Sequence, residues 1–314
     1  MAHAGTLHAY TSRLTAFEHA SPNTSSTKPN TNIIIWIGGL GDGLLCVDYP
    51  SAIVESLPPT WSLAEVLLSS SYKGWATGSL ARDARELGNC VKYFKRTRPG
   101  AKIVLMGHST GCQDVMEYLC GKGKEDRERI DGAILQAGVS DREAFEGLSD
   151  GDEDMKKKTK DTYALAKKMV EAGDGNEMLP RKGNPVSIEF GGVAMTAYRL
   201  HSLLTPGGDD DYFSSDLSDD VFKGTFGKIP KETRVMLLWG EKDPYVPDWV
   251  DREGILKRWI GIVKEGGGNV DEVNSGVIEG ASHNLNGDFK EVVQDLVKRV
   301  VAYLKGVDGE SSRL

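Results

Sequence analysis

The order of apolar and polar positions along the chain predicts alternating buried strands and amphipathic helices. Asn32–Ile37 and Lys102–Met106 are almost continuously apolar, which is typical of strands that are buried on both faces of a parallel sheet. Ser79–Lys95 instead repeats its apolar residues at three- and four-residue steps, as a helix does. Further strands are expected before residue 21 and at Ser62–Ser69, Ile130–Ala137, Val235–Trp239 and Gly276–Ile278, with further helices after Gly111 and over Trp249–Val263 and Phe289–Leu304. This alternation predicts an α/β protein with a mostly parallel sheet.

One long segment lacks that alternation. Residues 141–230 contain no convincing inner strand, and an insertion of this length between two sheet strands is usually a functional lid. The predicted organisation is therefore a core made of residues 1–140 and 231–305, a lid of residues 141–230, and a flexible tail over 306–314.

Charge and composition argue against a nucleic-acid-binding protein and against a membrane-spanning one. The 314 residues carry 38 basic and 46 acidic side chains, for a net charge of −8. This acidic balance lacks the basic footprint of a nucleic-acid-binding protein. No apolar run approaches the ~18 residues of a membrane span, and the N-terminal segment lacks the apolar region of a signal peptide. A small-molecule ester substrate is the expected partner, with no nucleic acid and no membrane span.

The cysteine spacing and the last three residues indicate in which cellular compartment the protein is found. The four cysteines include no C-x-x-C pair, so they are expected to be buried reduced thiols in a reducing compartment. The prediction is a cytoplasmic protein without a metal or another cofactor. Ser312-Arg313-Leu314 resembles the S-K-L peroxisomal signal, so a peroxisomal location is the alternative.

The motif that carries chemistry is Gly107-His108-Ser109-Thr110-Gly111, a G-x-S-x-G sequence. A buried strand is expected before it and a helix after it, which is the setting of a nucleophilic serine on a strained turn. The small residues at both ends are needed because side chains there would collide with the neighbouring strand or helix. Ser109 is therefore the candidate nucleophile.

A serine hydroxyl needs a base that takes its proton. Among the six histidines, His283 and His201 are the candidates. His283 is favoured because it lies in a loop between the last strand and the last helix, where open α/β sheets place their chemistry. His108 flanks the serine and is not expected to reach its hydroxyl.

The base in turn needs a carboxylate that orients it. Asp243, in Gly240-Glu-Lys-Asp-Pro-Tyr-Val-Pro247, and Asp141 both follow predicted strands and precede His283 in the chain. The residues around Asp243 favour it. Asp141 remains an alternative, with helix capping as its other role, and Glu241 is a weaker candidate.

Two backbone N–H groups are needed to hold an oxyanion. Thr110, which follows the nucleophile, and Leu40, in the loop Gly38-Gly-Leu-Gly-Asp-Gly43 after the first inner strand, are the candidates. The same loop raises a dinucleotide-binding alternative, but its glycine spacing does not match G-x-G-x-x-G.

These motifs together resemble those of the α/β-hydrolase superfamily over nearly the whole chain, with its order of serine, acid and histidine. Within the superfamily, the chain resembles a group of fungal and protist proteins long described as of unknown function, whose fungal members include intracellular esterases of fusarinine-type siderophores. The resemblance is most specific at GGLGDGL (38–44), GHSTGCQDV (107–115) and HSLLTPGGDDDYFSSDL (201–217). It implies an α/β-hydrolase fold and a serine esterase that cleaves such siderophores inside the cell.

The resemblance also suggests how the substrate is bound. Fusarinines consist of hydroxyornithine units joined by ester bonds, and their unacetylated forms carry free α-amino groups. We expect the acidic run Asp209, Asp210 and Asp211 to attract these cations, although a solvated loop without a ligand is an equal alternative. The other candidate substrate-binding residues are aromatic or polar: Tyr72, Trp75, Tyr198, Arg199, His201 and Tyr212.

Two other functions are compatible with the same residues. A general carboxylesterase or thioesterase acting on small acyl esters would use the same catalytic set. A hydrolase scaffold can also serve as a ligand receptor without catalysis, because fold does not fix function. The complete set of Ser109, Asp243 and His283 argues against that second alternative.

Overall fold

A mostly parallel sheet forms the centre of the molecule. The computed structural model describes residues 2–23, 32–148 and 151–309, and the described part contains a nine-stranded sheet ordered β1-β2-β4-β3-β5-β6-β7-β8, with β9 also paired to β7. β2 pairs antiparallel with both β1 and β4, and the remaining strand pairs are parallel, which confirms the predicted α/β class. The strands are β1 Gly5–Ala9, β2 Thr15–His19, β3 Asn32–Ile37, β4 Trp61–Val66, β5 Ile103–His108, β6 Gly132–Gln136, β7 Arg234–Gly240, β8 Asn269–Val270 and β9 Gly276–Ile278.

Helices cover both faces of the sheet, which explains the continuous apolar run of β3. Ile33 and Ile35 pack into one buried cluster with the helices α2, α3 and α9, while Ile34 and Trp36 pack into another with α1 and α10. Successive residues of a strand point to opposite faces, so a strand between two helical layers needs apolar residues at every position. These helices are α1 Tyr49–Ser56, α2 Leu80–Thr97, α3 Gly111–Cys120, α9 Arg252–Glu265 and α10 Lys290–Asp308.

The last helix extends into the segment that the sequence assigned to a flexible tail. It continues through Asp308 and ends at Gly309, whose φ of 82° is left-handed. The Asp308 carboxylate accepts a hydrogen bond from Trp61 Nε1 at 2.9 Å and lies 3.6 Å from Lys102 Nζ, so the final turn is fixed to the sheet. The tail predicted from Gly306 is therefore wrong for Gly306–Asp308.

The insertion between β6 and β7 is helical and divides its packing between two clusters. Its helices are α4 Asp141–Leu148, α5 Glu153–Glu171, α6 Pro185–Glu189, α7 Ala197–Leu204 and α8 Asp219–Gly224. Residues of α5, α6 and α7 share a separate buried cluster with Trp75. Phe213, Phe222 and Phe226 pack instead into the main core around Trp259. The part of the insertion before these phenylalanines thus forms a separate layer.

The structure also bears on the expectations about the cysteines, a membrane span and the C-terminal tripeptide. Cys90 and Cys112 are buried as expected, but Cys46 is exposed because it lies in the loop that precedes α1. Among the described residues, no helix is both long and apolar enough to cross a bilayer. Ser312-Arg313-Leu314 lies outside the described residues.

Candidate active site

The nucleophile candidate lies on a strained turn between β5 and α3. Ser109 has a φ of 53°, which is unusual for a residue with a side chain. A Cβ at Gly107 would overlap the backbone of Gly111, and one at Gly111 would overlap the carbonyl of Ile37. The glycines of the motif therefore have the steric role that the sequence predicted. The Ser109 hydroxyl makes no hydrogen bond within the described part of the chain.

The structure pairs His283 with Asp243. His283 Nδ1 lies 2.7 Å from Asp243 Oδ2, and Asp243 Oδ1 accepts a hydrogen bond from Tyr245 N at 2.9 Å. Asp243 is 1% exposed, so its carboxylate is held in a fixed orientation away from solvent. The Tyr245 ring also contacts the His283 ring edge to face, with 4.6 Å between their centroids. This arrangement fixes the proton on Nδ1 and leaves Nε2 free to accept one.

The alternative residues have other partners. Asp141 Oδ2 accepts a hydrogen bond from Gln113 Nε2 at 2.9 Å, and Glu241 accepts one from Gly280 N at 2.7 Å. His201 Nδ1 lies 3.1 Å from the Thr205 hydroxyl of its own helix. None of these three contacts the His283 side chain.

The two backbone amides expected to form an oxyanion hole have no acceptor in the described residues. Leu40 N belongs to the loop after β3, and Thr110 N precedes the first turn of α3. That loop lies against the nucleophile, because a Cβ at Gly39 would stand 2.7 Å from Ser109 Cβ. Tyr72 supports the same loop, since its hydroxyl accepts a hydrogen bond from Leu44 N at 3.2 Å.

Ser109 and His283 line one pocket of about 450 Å³, which is within the usual range for a small-molecule site. The insertion supplies part of its wall through Phe145 of α4 and Phe190, which directly follows α6. The lining contains carboxylates but no lysine or arginine. The lining residues are Gly39, Leu40, Asp42, His108, Ser109, Val139, Asp141, Ala144, Phe145, Glu189, Phe190, Pro244, Tyr245, Ser282, His283 and Asn284.

The nine residues predicted to bind substrate do not line this pocket. Asp209 receives a hydrogen bond from Tyr198, Asp211 pairs with Arg142 at 3.4 Å, and Tyr212 donates to Glu117. The carboxylates of the acidic run instead bond to neighbouring segments of the insertion. Trp75 lies behind the pocket wall, with 4.9 Å between its ring centroid and that of Phe190. The other four residues also bond to other parts of the protein and not to the pocket: Tyr72, Arg199, His201 and Asp210.

Arg199 and Asp210 instead form a buried ion pair. Arg199 Nη1 lies 2.7 Å from Asp210 Oδ2, and the two side chains are 3% and 0% exposed. Arg199 also donates a hydrogen bond to the Trp75 carbonyl at 2.9 Å. Both residues of the pair belong to the insertion, and the hydrogen bond to Trp75 joins them to the core.

Other carboxylates share this buried region with Arg199. Burial raises the pKa of Asp83 and of Asp114, and their mutual repulsion adds to the rise at Asp114, while the Arg199 charge opposes both shifts. Burial together with the Asp210 charge raises the pKa of Asp141 to about 8, against the opposing effects of Arg199 and the Gln113 hydrogen bond. Arg199 is therefore the cation that compensates several buried acids.

Sequence reasoning missed several pocket residues. Asp42 and Tyr245 stand inside the quoted motifs, so a closer reading of GGLGDGL and GEKDPYVP would have found them. Phe145, Glu189 and Phe190 carry no such signal, because only the packing of the insertion brings them to the site. Within the described residues, no group of three or more His, Cys, Asp or Glu side chains is arranged to hold a metal ion.

The sheet order, the strained serine turn and the histidine–aspartate pair define an α/β-hydrolase fold, and solved structures agree. The siderophore hydrolase EstB of Aspergillus fumigatus superposes with a TM-score of 0.83 at 35% identity, covering 98% of both chains. A yeast monoglyceride lipase superposes with a TM-score of 0.62 at 10% identity, over 98% of this chain and 96% of the lipase, which supports the fold alone.

The family model described as "protein of unknown function", DUF1749, matches residues 1–305, and the chain belongs to that family. The fusarinine C esterase sidJ of Aspergillus fumigatus is 35% identical over 96% of both chains. An esterase of Emericella nidulans is 36% identical over 98% of this chain and 93% of the relative.

Proposed function

We propose that this protein is a serine esterase that hydrolyses the ester bonds of hydroxamate siderophores of the fusarinine type. The observation that carries the proposal is the pocket in which the strained Ser109 and the Asp243-oriented His283 lie together. The substrate class is supported by full-length relatives named as a fusarinine C esterase and a siderophore hydrolase. The predicted cytoplasmic location and the peroxisomal alternative remain predictions.

The proposed reaction uses these groups in two steps. Ser109 Oγ attacks the ester carbonyl while His283 Nε2 takes the serine proton, and the Leu40 and Thr110 N–H groups hold the negative charge of the oxyanion. His283 then gives the proton to the leaving alcohol. In the second step His283 takes a proton from water, which attacks the acyl-enzyme, and returns it to Ser109 as the acid is released.

Asp243 serves this cycle by its position. Its Oδ2 accepts a hydrogen bond from His283 Nδ1, which keeps Nε2 unprotonated before attack and stabilises the imidazolium afterwards. The raised pKa of Asp141 and its bond to Gln113 fit a structural role for that residue.

A fluorophosphonate probe and a substrate comparison test the proposal. The probe should label wild type at Ser109 and should not label Ser109→Ala. Iron-loaded fusarinine C should then be cleaved with a kcat/KM above that of short nitrophenyl esters. If Ser109 is labelled but only nitrophenyl esters are cleaved, the protein is a general esterase. If Ser109 is not labelled, the protein is not a serine esterase.

A further inference from the structure

A chain of buried hydrogen bonds fixes the protonation of His108, the residue beside the nucleophile. Trp36 Nε1 donates to the Tyr49 hydroxyl at 2.9 Å, so the Tyr49 hydroxyl donates in turn to Gln136 Oε1 at 3.0 Å. His108 Nδ1 lies 2.6 Å from the same Oε1 and must therefore carry the proton of that bond. Burial also lowers the pKa of His108 to about 3, so its ring is neutral. Its Nε2 consequently holds a lone pair.

The orientation of the Gln136 amide, on which this assignment rests, is fixed from the other side. Gln136 Nε2 donates to the His283 carbonyl at 3.1 Å. A flipped amide would bring two carbonyl oxygens together there and would place an N–H₂ group against the Tyr49 hydroxyl. The hydrogen-bond pattern therefore permits one arrangement of donors.

The lone pair of His108 faces a second acceptor across the active-site pocket. His108 Nε2 lies 3.9 Å from Asp42 Oδ2, and both residues line the pocket. Asp42 Oδ2 already accepts a hydrogen bond from Gly39 N at 2.8 Å. Two acceptors at this distance do not bond to each other, so the group that suits them is a donor with positive charge.

This acceptor pair, defined as Asp42 Oδ2 and His108 Nε2, stands close to the reacting hydroxyl. The position of a Cβ at Gly39 would be 3.2 Å from Ser109 Oγ and 3.3 Å from Asp42 Oδ2. The donor group must therefore lie within a few bonds of the carbonyl carbon that Ser109 attacks. No lysine or arginine of the described chain lines the pocket to occupy the pair.

We propose that the acceptor pair of Asp42 and His108 binds the free α-ammonium group of an α-aminoacyl ester and selects esters whose amine is not acetylated. In such an ester the amine is attached to the carbon next to the carbonyl, which matches the closeness of the pair to Ser109. An N-acetyl group leaves one N–H and no charge, so it satisfies the pair poorly. This inference rests on the proposed esterase function and names the part of the substrate that the site recognises.

The test is the ratio of kcat/KM for fusarinine C to that for its N-acetylated form, in wild type and in Asp42→Asn. The asparagine keeps an oxygen for Gly39 N and removes the charge. Hydrogen bonds to charged groups contribute enough that the ratio should fall by about tenfold to a hundredfold. Glu189→Gln is the matched control, because it removes a carboxylate that is exposed at the same pocket. It should change the ratio by less than about threefold.

The outcomes separate this inference from the proposed function. If Asp42→Asn slows both substrates equally, Asp42 only positions the loop and the inference is wrong. An equal fall in Glu189→Gln would assign the preference to general pocket charge and would also overturn it. If wild type cleaves nitrophenyl butyrate but neither siderophore, the proposed substrate fails. The ratio of kcat/KM is then measured for leucine ethyl ester and its N-acetyl derivative. A fall of this ratio in Asp42→Asn but not in Glu189→Gln would support the inference.

Discussion

Asp141 should make the stability of the protein fall as the pH rises, and replacing it should remove that dependence. The residue is 9% exposed, and burial with the neighbouring Asp210 charge raises the pKa of its carboxyl group to about 8, compared with about 3.9 in an unfolded chain. Because the folded pKa is the higher one, the stabilisation is complete below about pH 4 and is lost as the pH rises towards 8. Asp141→Asn keeps an oxygen that can accept the Gln113 hydrogen bond and has no proton to lose.

The size of the effect follows from proton linkage. Between pH 5.5 and 7.5 the unfolded Asp141 is ionised and the folded one is protonated, so the free energy of unfolding decreases by about 1.4 kcal/mol per pH unit. Wild type should therefore lose about 2–3 kcal/mol more than Asp141→Asn over this interval. Histidines that titrate in the same range are common to both proteins, so their contribution largely cancels in the difference.

Urea unfolding at pH 5.5, 6.5 and 7.5 measures this difference directly. Asp161→Asn, which removes an exposed carboxylate of α5, is the control and should follow wild type. Parallel stability curves for wild type and Asp141→Asn would refute the reasoning, because they would mean that Asp141 is ionised in the folded protein at neutral pH.

Other substitutions test further parts of the site. Asp243→Asn should lower kcat by about a thousandfold or more in steady-state kinetics, because the amide no longer fixes the histidine tautomer. Gly39→Ala should lower kcat by about tenfold to a hundredfold, since its Cβ would meet Ser109 Cβ at 2.7 Å and displace the loop. Arg199→Leu should reduce the free energy of unfolding by about 3–5 kcal/mol at pH 7.5, measured in urea, because buried acids lose their cation. Asp209→Asn should leave the preference for free amines unchanged in the paired-substrate assay, because its carboxylate lies outside the pocket.

The candidate catalytic residues could be predicted from the sequence because their signals are local. The apolar run 32–37 forms β3 with those bounds, and the glycines flanking Ser109 are explained by contacts within a few residues or with the adjacent strand. His283 stood out because it follows a strand near the end of the chain. The choice of Asp243 over Asp141 rested on neighbouring residues, and only the structure supplies the 2.7 Å contact with His283.

The substrate pocket could not be predicted in the same way. Asp209–Asp211 appear in the sequence as an acidic surface, but Asp210 is buried against Arg199, and the spacing of these two residues along the chain does not reveal that their ion pair is buried. Gln136 looked like the end of an ordinary strand, yet it links Tyr49, His108 and the His283 carbonyl. Polar networks of this kind depend on packing between distant elements, which spacing along one chain does not encode.

The central claim is that Ser109 hydrolyses a siderophore ester, and mass spectrometry of iron-loaded fusarinine C tests it most directly. The siderophore is incubated with wild type and with Ser109→Ala, and the products are identified by mass. The linear trimer, dimer and monomer are expected with wild type alone, and each linear product carries the mass of one added water. Intact siderophore with wild type, or equal cleavage by Ser109→Ala, would contradict it.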